Sequence, residues 1–189
     1  MPDLTAIYDS CVLYPAPLRD LLVRLARTGL FRARWTDAIH DEWIRSVLEN
    51  RPDLSAAQLD RTRQLMNAAV RDCLVVGYEG RIDSLTLPDL DDRHVLAAAL
   101  EAQAQVIVTY NLRDFPAGAL QPHGLEAQHP DEFILRVIAL NPLVVREAVE
   151  THQQALKNPP KTPAQYLETL SSQGLLKTVT ALSQICFKW

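Results

Sequence analysis

Cysteine is scarce in this chain, and the few cysteines follow no ligand spacing. There are three, Cys11, Cys73 and Cys186, far apart and without a C-x-x-C pair. Structural zinc sites and disulfide frameworks need closely spaced or evenly paired cysteines, so the sequence favours neither. Reduced, partly buried thiols of a cytoplasmic protein are expected instead.

Positive charge is also in short supply. The chain carries 19 Lys and Arg against 23 Asp and Glu, a formal net charge of −4. Nonspecific binding to nucleic-acid duplexes relies on a broad basic surface, which this balance argues against. A nucleic-acid substrate held locally, by metal ions and a few arginines, is still compatible with the composition.

Long apolar runs are missing as well. No window approaches the roughly 18 apolar residues of a membrane-spanning helix, and the N-terminus lacks the basic and apolar regions of a secretory signal. The sequence therefore predicts a cytoplasmic protein with no membrane partner. A content of 48% hydrophobic and 22% charged residues indicates one globular domain, with or without an appendage.

Short apolar runs alternate with helical segments over most of the chain. The run Ala6–Leu13 predicts a buried strand with Asp9 at or near its carboxyl end, and further strands are predicted at 74–78, 106–109 and 125–127. Strands that alternate with helices imply βαβ units. We therefore expect an α/β fold, with a central parallel sheet flanked by helices.

The C-terminal part of the chain has a different pattern. Asn141-Pro142 and Thr162-Pro163 each pair a capping side chain with a proline at the first helical position, and no strand is predicted beyond them. The chain is accordingly divided into a domain of residues 1–140 and a helical C-terminal extension of residues 141–189.

One earlier helix matters for the chemistry because it carries an acid. Thr36 or Asp37 is expected to cap a helix that runs to about Asn50. Ile39, Trp43 and Val47 recur along it every four residues and form its buried stripe. Glu42 lies beside this stripe rather than opposite it.

Candidate acidic residues occur at four places in the sequence: Asp9, Glu42, the group Asp89, Asp91 and Asp92, and Asp114. Parallel strands present their carboxyl ends at one edge of the sheet, so Asp9 and Asp114 are expected to share that edge. Converging carboxylates cannot all ionise unless a cation neutralises them. Oxygen ligands without a Cys/His cluster select Mg²⁺ or Mn²⁺, the arrangement for metal-assisted hydrolysis of a phosphodiester.

Two other interpretations of the acids are open at this point. Each carboxylate could cap a helix or a turn, although that leaves an Asp after an apolar strand unexplained. Asp9 could instead be the nucleophile of a phosphatase, but such enzymes have a second Asp two positions later, where this chain has Cys11. The five histidines share no ligand spacing and are expected at the surface or at helix caps, with His94 set apart as an exception because it lies two residues from Asp92.

The acids stand in segments that resemble a known family. Tyr8-Asp9-Ser10, the helical Glu42 preceded by Thr36, the segment from Asp89 to Ala99, and Ile107 to Phe115 resemble the PIN domain in order and spacing. Within that family the chain most resembles the toxin-type branch, the VapC-like ribonucleases of toxin–antitoxin pairs. The resemblance implies a parallel sheet with an acidic pocket that binds Mg²⁺ or Mn²⁺.

Position by position, the resemblance assigns the acidic pocket to Asp9, Glu42 and Asp92. The fourth position departs from the pattern, because many relatives have Asp where this chain has Asn111. Either Asn111 ligates through its amide oxygen or Asp114 supplies the charge. The resemblance further implies supporting roles for the residues that flank these acids, namely Ser10, Asp89 and Thr109.

The implied activity is cleavage of RNA by metal-activated water. The implied partners are the RNA substrate and a small cognate antitoxin protein, and toxins of this type often form homodimers. A degenerate PIN domain that serves as an RNA- or protein-binding module is the alternative, with Asn111 as its first sign. The retained acids Asp9, Glu42 and Asp92 favour the nuclease.

Overall fold

A four-stranded parallel sheet lies at the centre of the molecule. The computed structural model describes residues 4–157 and 159–186. The strands are β1 (Thr5–Tyr8), β2 (Arg32–Arg34), β3 (Val106–Val108) and β4 (Glu126–Gln128), in the order β2-β1-β3-β4. The predicted α/β class with a parallel sheet is confirmed.

Helices cover the sheet and form the whole C-terminal part of the described chain. Two 3₁₀ turns, Glu79–Ser84 and Gln121–His123, connect some of them. No helix in the described ranges is long and apolar enough to cross a membrane. The α-helices are α1 (Ser10–Leu13), α2 (Ala16–Ala26), α3 (Asp37–Asn50), α4 (Ala56–Ala69), α5 (Arg93–Glu101), α6 (Ala117–Leu120), α7 (Pro130–Leu140), α8 (Pro142–Ala155), α9 (Pro163–Ser171) and α10 (Leu176–Ile185).

The predicted strand at 74–78 is wrong. Only Leu74 makes a bridge, to Trp35, after which Gly77 turns the chain with a φ of 80° and Val76 is 75% exposed. The second strand is instead β2, whose sequence Arg-Ala-Arg lacks the apolar signal of a buried strand. It forms at the sheet edge, where long arginine side chains can reach solvent.

The predicted helix starts are confirmed where a polar side chain caps the first turn. Thr36 accepts a hydrogen bond from the backbone N–H of Ile39 and begins α3. Asn141 caps α8, and Thr162 forms a capping box at the start of α9. Each side chain satisfies an N–H group that has no partner within its own helix.

An aromatic cluster fixes the end of β1 that carries Asp9. The Tyr8 ring is fully buried and lies 6.0 Å from Trp35 and 6.1 Å from Phe133, centroid to centroid. Phe31 packs edge-on against Phe133 at 5.1 Å. Aromatic pairs at these spacings stabilise a core beyond their buried area, so the residue before Asp9 is held firmly.

The C-terminal helices are fastened to the sheet domain by buried polar contacts. Asp131 in α7 accepts hydrogen bonds from the backbone N–H groups of Lys177 and Thr178, at 3.0 and 2.7 Å, in the first turn of α10. The hydroxyl of Tyr110, two residues beyond β3, donates to the carbonyl of Gln173 at 2.7 Å. The helical extension therefore contacts the segment that leaves the carboxyl end of β3.

Two histidines other than His94 correct the expectation of a place at the surface or at a helix cap. His40 and His152 are buried. His152 Nδ1 lies 3.0 Å from the Tyr166 hydroxyl, and burial, followed by the charge of Arg24, lowers its pKa to about 4. The imidazole is therefore neutral in the folded protein at neutral pH.

This buried imidazole predicts acid destabilisation. The unfolded state binds a proton at a pKa of about 6.5, so stability is lost as the pH falls from about 6.5 to about 4. The loss attributable to this group is about 3 kcal/mol. Urea unfolding across that range, for the wild-type chain and for His152→Gln, isolates the contribution. Parallel pH profiles for the two proteins would contradict it.

Candidate active site

Asp9 lies at the carboxyl end of β1 and is almost completely buried, with 3% of its surface exposed. Its carboxylate caps α1 by accepting a 2.6 Å hydrogen bond from the backbone N–H of Ser10 at Oδ1. The Thr109 hydroxyl donates to Oδ2 at 2.7 Å. Since β1 pairs with β3, the sheet register brings these two residues together from distant parts of the chain.

Ser10 and Thr109 support Asp9 to different extents. The Ser10 hydroxyl is 3.4 Å from Oδ1, so the stronger contact of this residue comes from its backbone. The Thr109 hydroxyl donates to Asp9 and also accepts from the N–H of Asn111 at 2.9 Å. Thr109 thus connects the buried carboxylate to the loop that follows β3.

Cys11 is a contact of Asp9 that sequence reasoning missed. Its Sγ lies 3.0 Å from Asp9 Oδ2 and accepts a hydrogen bond from the N–H of Tyr110 at 3.3 Å. Burial, reinforced by the charge of Asp9, raises the pKa of the thiol to about 12. The sulfur therefore stays protonated and can donate to the carboxylate. Its position two residues after Asp9 was the available signal, but the strand predicted over Ala6–Leu13 ends at Tyr8 and Ser10–Leu13 forms α1 instead.

Asp92 lies at the N-terminal end of α5, and its side chain makes no capping hydrogen bond. Burial, and then the charges of Asp9, Asp89, Asp114 and Glu42, raise its pKa to about 7. Four carboxylates, three of them distant in the sequence, thus act on that of Asp92. This mutual repulsion is the electrostatic signature of acids that converge without a compensating cation.

Glu42 is paired with a histidine. Its Oε1 lies 2.8 Å from His94 Nε2, and both side chains are largely sheltered from solvent. Burial alone would lower the pKa of His94, but Glu42, and then Asp9 and Asp92, outweigh it, so the net shift is upward. His94 therefore supplies part of the positive charge that this group of acids lacks.

The fourth acidic position falls in the loop after β3. Asn111 is exposed, whereas Asp114 is half-buried, and the Asp114 N–H donates to the Asn111 carbonyl at 3.1 Å. Asp114 contributes to the raised pKa of Asp92, so the two carboxyl groups lie near each other. Asp89 is exposed, and its Oδ1 accepts from the N–H of Asp91 at 2.9 Å.

The donor set fits a hard divalent cation in charge and in ligand type. The side chains that face Asp92 offer carboxylate oxygens, which Mg²⁺ and Mn²⁺ prefer. A divalent cation would also relieve the repulsion that raises the pKa of Asp92. Across residues 4–157 and 159–186, however, no three His, Cys, Asp or Glu side chains lie close enough together to form a coordination shell.

Comparisons with known proteins match this chain in two segments. A family model described as PIN domain matches residues 5–113, and a model described as VapC50 C-terminal domain matches residues 130–184. A protein of Mycobacterium tuberculosis named "Putative ribonuclease VapC50" is 43% identical over 82 residues. No solved structure matches the chain. The predicted resemblance to the PIN family and its VapC-like branch is confirmed.

The match to the mycobacterial protein covers part of each chain. It spans 43% of this chain and 48% of that protein, so about half of the relative's length is represented. The PIN domain model reaches from β1 into the loop after β3. Asp9, Glu42 and Asp92 lie inside that segment, and Asp114 lies one residue beyond it.

Proposed function

This chain belongs to the PIN domain family, and from that membership we propose that it is a metal-dependent endoribonuclease. The observation that carries the proposal is the position of Asp9, buried at the carboxyl end of β1 and held by Ser10, Cys11 and Thr109. Asp92 lies near enough for burial and the charge of Asp9 to raise its pKa to about 7. A group of neighbouring acids without a compensating cation is unfavourable by itself. Binding of Mg²⁺ or Mn²⁺ would neutralise the carboxylates and relieve the repulsion among them.

Asp9, Glu42, Asp92 and Asp114 are proposed to hold the metal, with Asn111 as a further oxygen donor. The bound cation would lower the pKa of the attacking water and offset negative charge on the scissile phosphate. The chain's own contribution is orientation. The N–H of Ser10, the hydroxyl of Thr109 and the thiol of Cys11 fix both oxygens of Asp9, as outer-shell donors commonly fix a ligating carboxylate.

The pair of Glu42 and His94 is proposed to balance charge near the metal. Its 2.8 Å contact holds the Glu42 carboxylate in place on α3. The raised pKa of His94 keeps more of the imidazole protonated near neutral pH. This cation reduces the repulsion among the acids while no metal is bound.

The decisive experiment is RNA cleavage with and without a chelator. Purified protein with an unstructured RNA and Mn²⁺ is expected to produce fragments, and excess EDTA is expected to abolish them because it removes the metal that would activate the attacking water. Release of phosphate from small esters, without RNA cleavage, would instead favour the phosphatase. Absence of both activities, with RNA binding retained, would favour the degenerate module.

The biological role is proposed from the resemblance to the VapC branch. The chain would be the toxin of a type II toxin–antitoxin pair, held by a small antitoxin protein and able to form homodimers. Residues 1–140 would carry the nuclease, because they contain every proposed metal ligand, and residues 141–189 would form its helical extension. Copurification with the product of an adjoining reading frame, with loss of cleavage, tests this assignment.

A further inference from the structure

A second charged feature lies away from the acids. A cavity of about 710 Å³ is bounded by the C-terminal ends of α2 and α4 and by β2. Four arginines contribute to its lining, and Asp72 is its one acidic lining residue among those described. The arginines are Arg27, Arg32, Arg34 and Arg71.

Most of these guanidinium groups have no protein partner in the described ranges. No salt bridge or side-chain hydrogen bond engages Arg27, Arg34 or Arg71 there. The Arg34 Nε atom is buried and lacks a hydrogen-bond partner. An unsatisfied buried donor is unfavourable, so an acceptor from outside the described chain would stabilise it.

The positive charge of the arginines exceeds what is needed to stabilise the negative ends of the neighbouring helices. Helices α2 and α4 end at the cavity, and each C-terminus carries about half a negative charge. The two helix C-termini and Asp72 together carry a charge of about −2. Arg27, Arg34 and Arg71 alone carry a charge of about +3. Even without Arg32, about one positive charge is left over, and the ligand that fits is an anion.

The cavity is separate from the acidic site. Arg32 pairs with Thr5 and Arg34 with Ile7 along β1, whereas Asp9 follows the carboxyl end of that strand. The corresponding distances along extended chain are about 13 Å and about 7 Å. A group bound among the arginines would therefore lie away from the phosphate that is being cleaved.

We propose that this arginine cavity binds phosphodiester groups of the RNA outside the cleavage site. Guanidinium groups match phosphate oxygens in bidentate geometry, and a cavity of 300–1000 Å³ suits a ligand of nucleotide size. With a net charge of −4, the protein needs a local basic cluster to hold a polyanion. The proposal rests on the nuclease function for the identity of the polyanion.

The test compares two double variants of equal charge change. Arg27→Gln with Arg71→Gln alters exposed cavity arginines, and Arg45→Gln with Arg61→Gln alters exposed arginines elsewhere. Fluorescence anisotropy with a labelled single-stranded RNA is measured in EDTA, so that cleavage does not interfere. The cavity variant is expected to bind about tenfold more weakly and to lose about 1.4 from the slope of log K against log salt.

Equal RNA affinity of the cavity variant, the control variant and the wild-type protein would overturn the site while leaving the nuclease proposal intact. Loss of binding in the cavity variant, with a wild-type protein that cuts no RNA in Mn²⁺, would support the site and refute the nuclease.

Competition experiments against the labelled RNA identify the ligand. RNA should compete far better than AMP or inorganic phosphate if the strand is the ligand. Tighter binding of AMP than of RNA would overturn the RNA assignment in favour of a free nucleotide. Polyglutamate that competes as well as RNA of equal charge would overturn it in favour of an acidic protein segment.

Discussion

Asp9→Asn is expected to lower metal-dependent RNA cleavage on the order of a thousandfold or more. Asp9 is the most buried of the proposed metal ligands, and three donors already fix its position. Asparagine has nearly the same shape and keeps one oxygen that can accept from the Ser10 N–H. The substitution removes the charge that a hard cation needs, while the cap of α1 is retained.

The matched control is Asp91→Asn. Asp91 is an exposed acid one residue from Asp92, and the same chemical change there should leave cleavage within about twofold of wild type. Circular dichroism and urea unfolding establish that both variants fold. Cleavage by Asp9→Asn that is still Mn²⁺-dependent and near the wild-type rate would refute the proposed role of Asp9.

The acidic edge of the sheet could be predicted because two strong local signals agree on it. Tyr8 ends an apolar run and Asp9 follows it, and the run Val106–Val108 has the composition of a strand buried on both faces. The rule that parallel strands present their carboxyl ends together then brings their acids to one edge. The register of β1 against β3 agrees with that inference.

The second strand could not be predicted from the same signals. Arg32 and Arg34 are polar, and Ala33 is a weak strand former, so only pairing with β1 makes this segment a strand. The apolar run at 74–78 has better local propensity but lies beside Trp35 without continuing the sheet. Pairing with β1 determines which of the two segments becomes the second strand. This pairing depends on the tertiary structure and cannot be inferred from the local sequence.

The contacts around Asp9 show the same limit at the level of side chains. Thr109 is 100 residues away in sequence, and its hydroxyl reaches Asp9 because of strand register. Cys11 reaches the same oxygen because α1 begins at once and brings its side chain back towards its own cap. A sequence gives the residue types, but the direction of a thiol or hydroxyl depends on the assembled sheet.

Asp131→Ala is expected to destabilise the protein by about 2–4 kcal/mol. Asp131 is 6% exposed and serves as the cap that α10 lacks, because Leu175 at the N-cap position offers no acceptor. Alanine would leave the N–H groups of Lys177 and Thr178 without their carboxylate acceptor. It would also remove a negative charge from a helix N-terminus, where such a charge is stabilising.

The neighbouring Glu132→Ala provides the control. Glu132 pairs with Lys177 through side chains that are both half-exposed or more, and exposed pairs contribute about 0–1 kcal/mol. Urea unfolding of the two variants should therefore differ by at least about 1–2 kcal/mol. A similar effect of both substitutions would mean that the buried carboxylate does not fasten α10. The larger loss at Asp131 would instead make α10 a structural part of the sheet domain, held through α7.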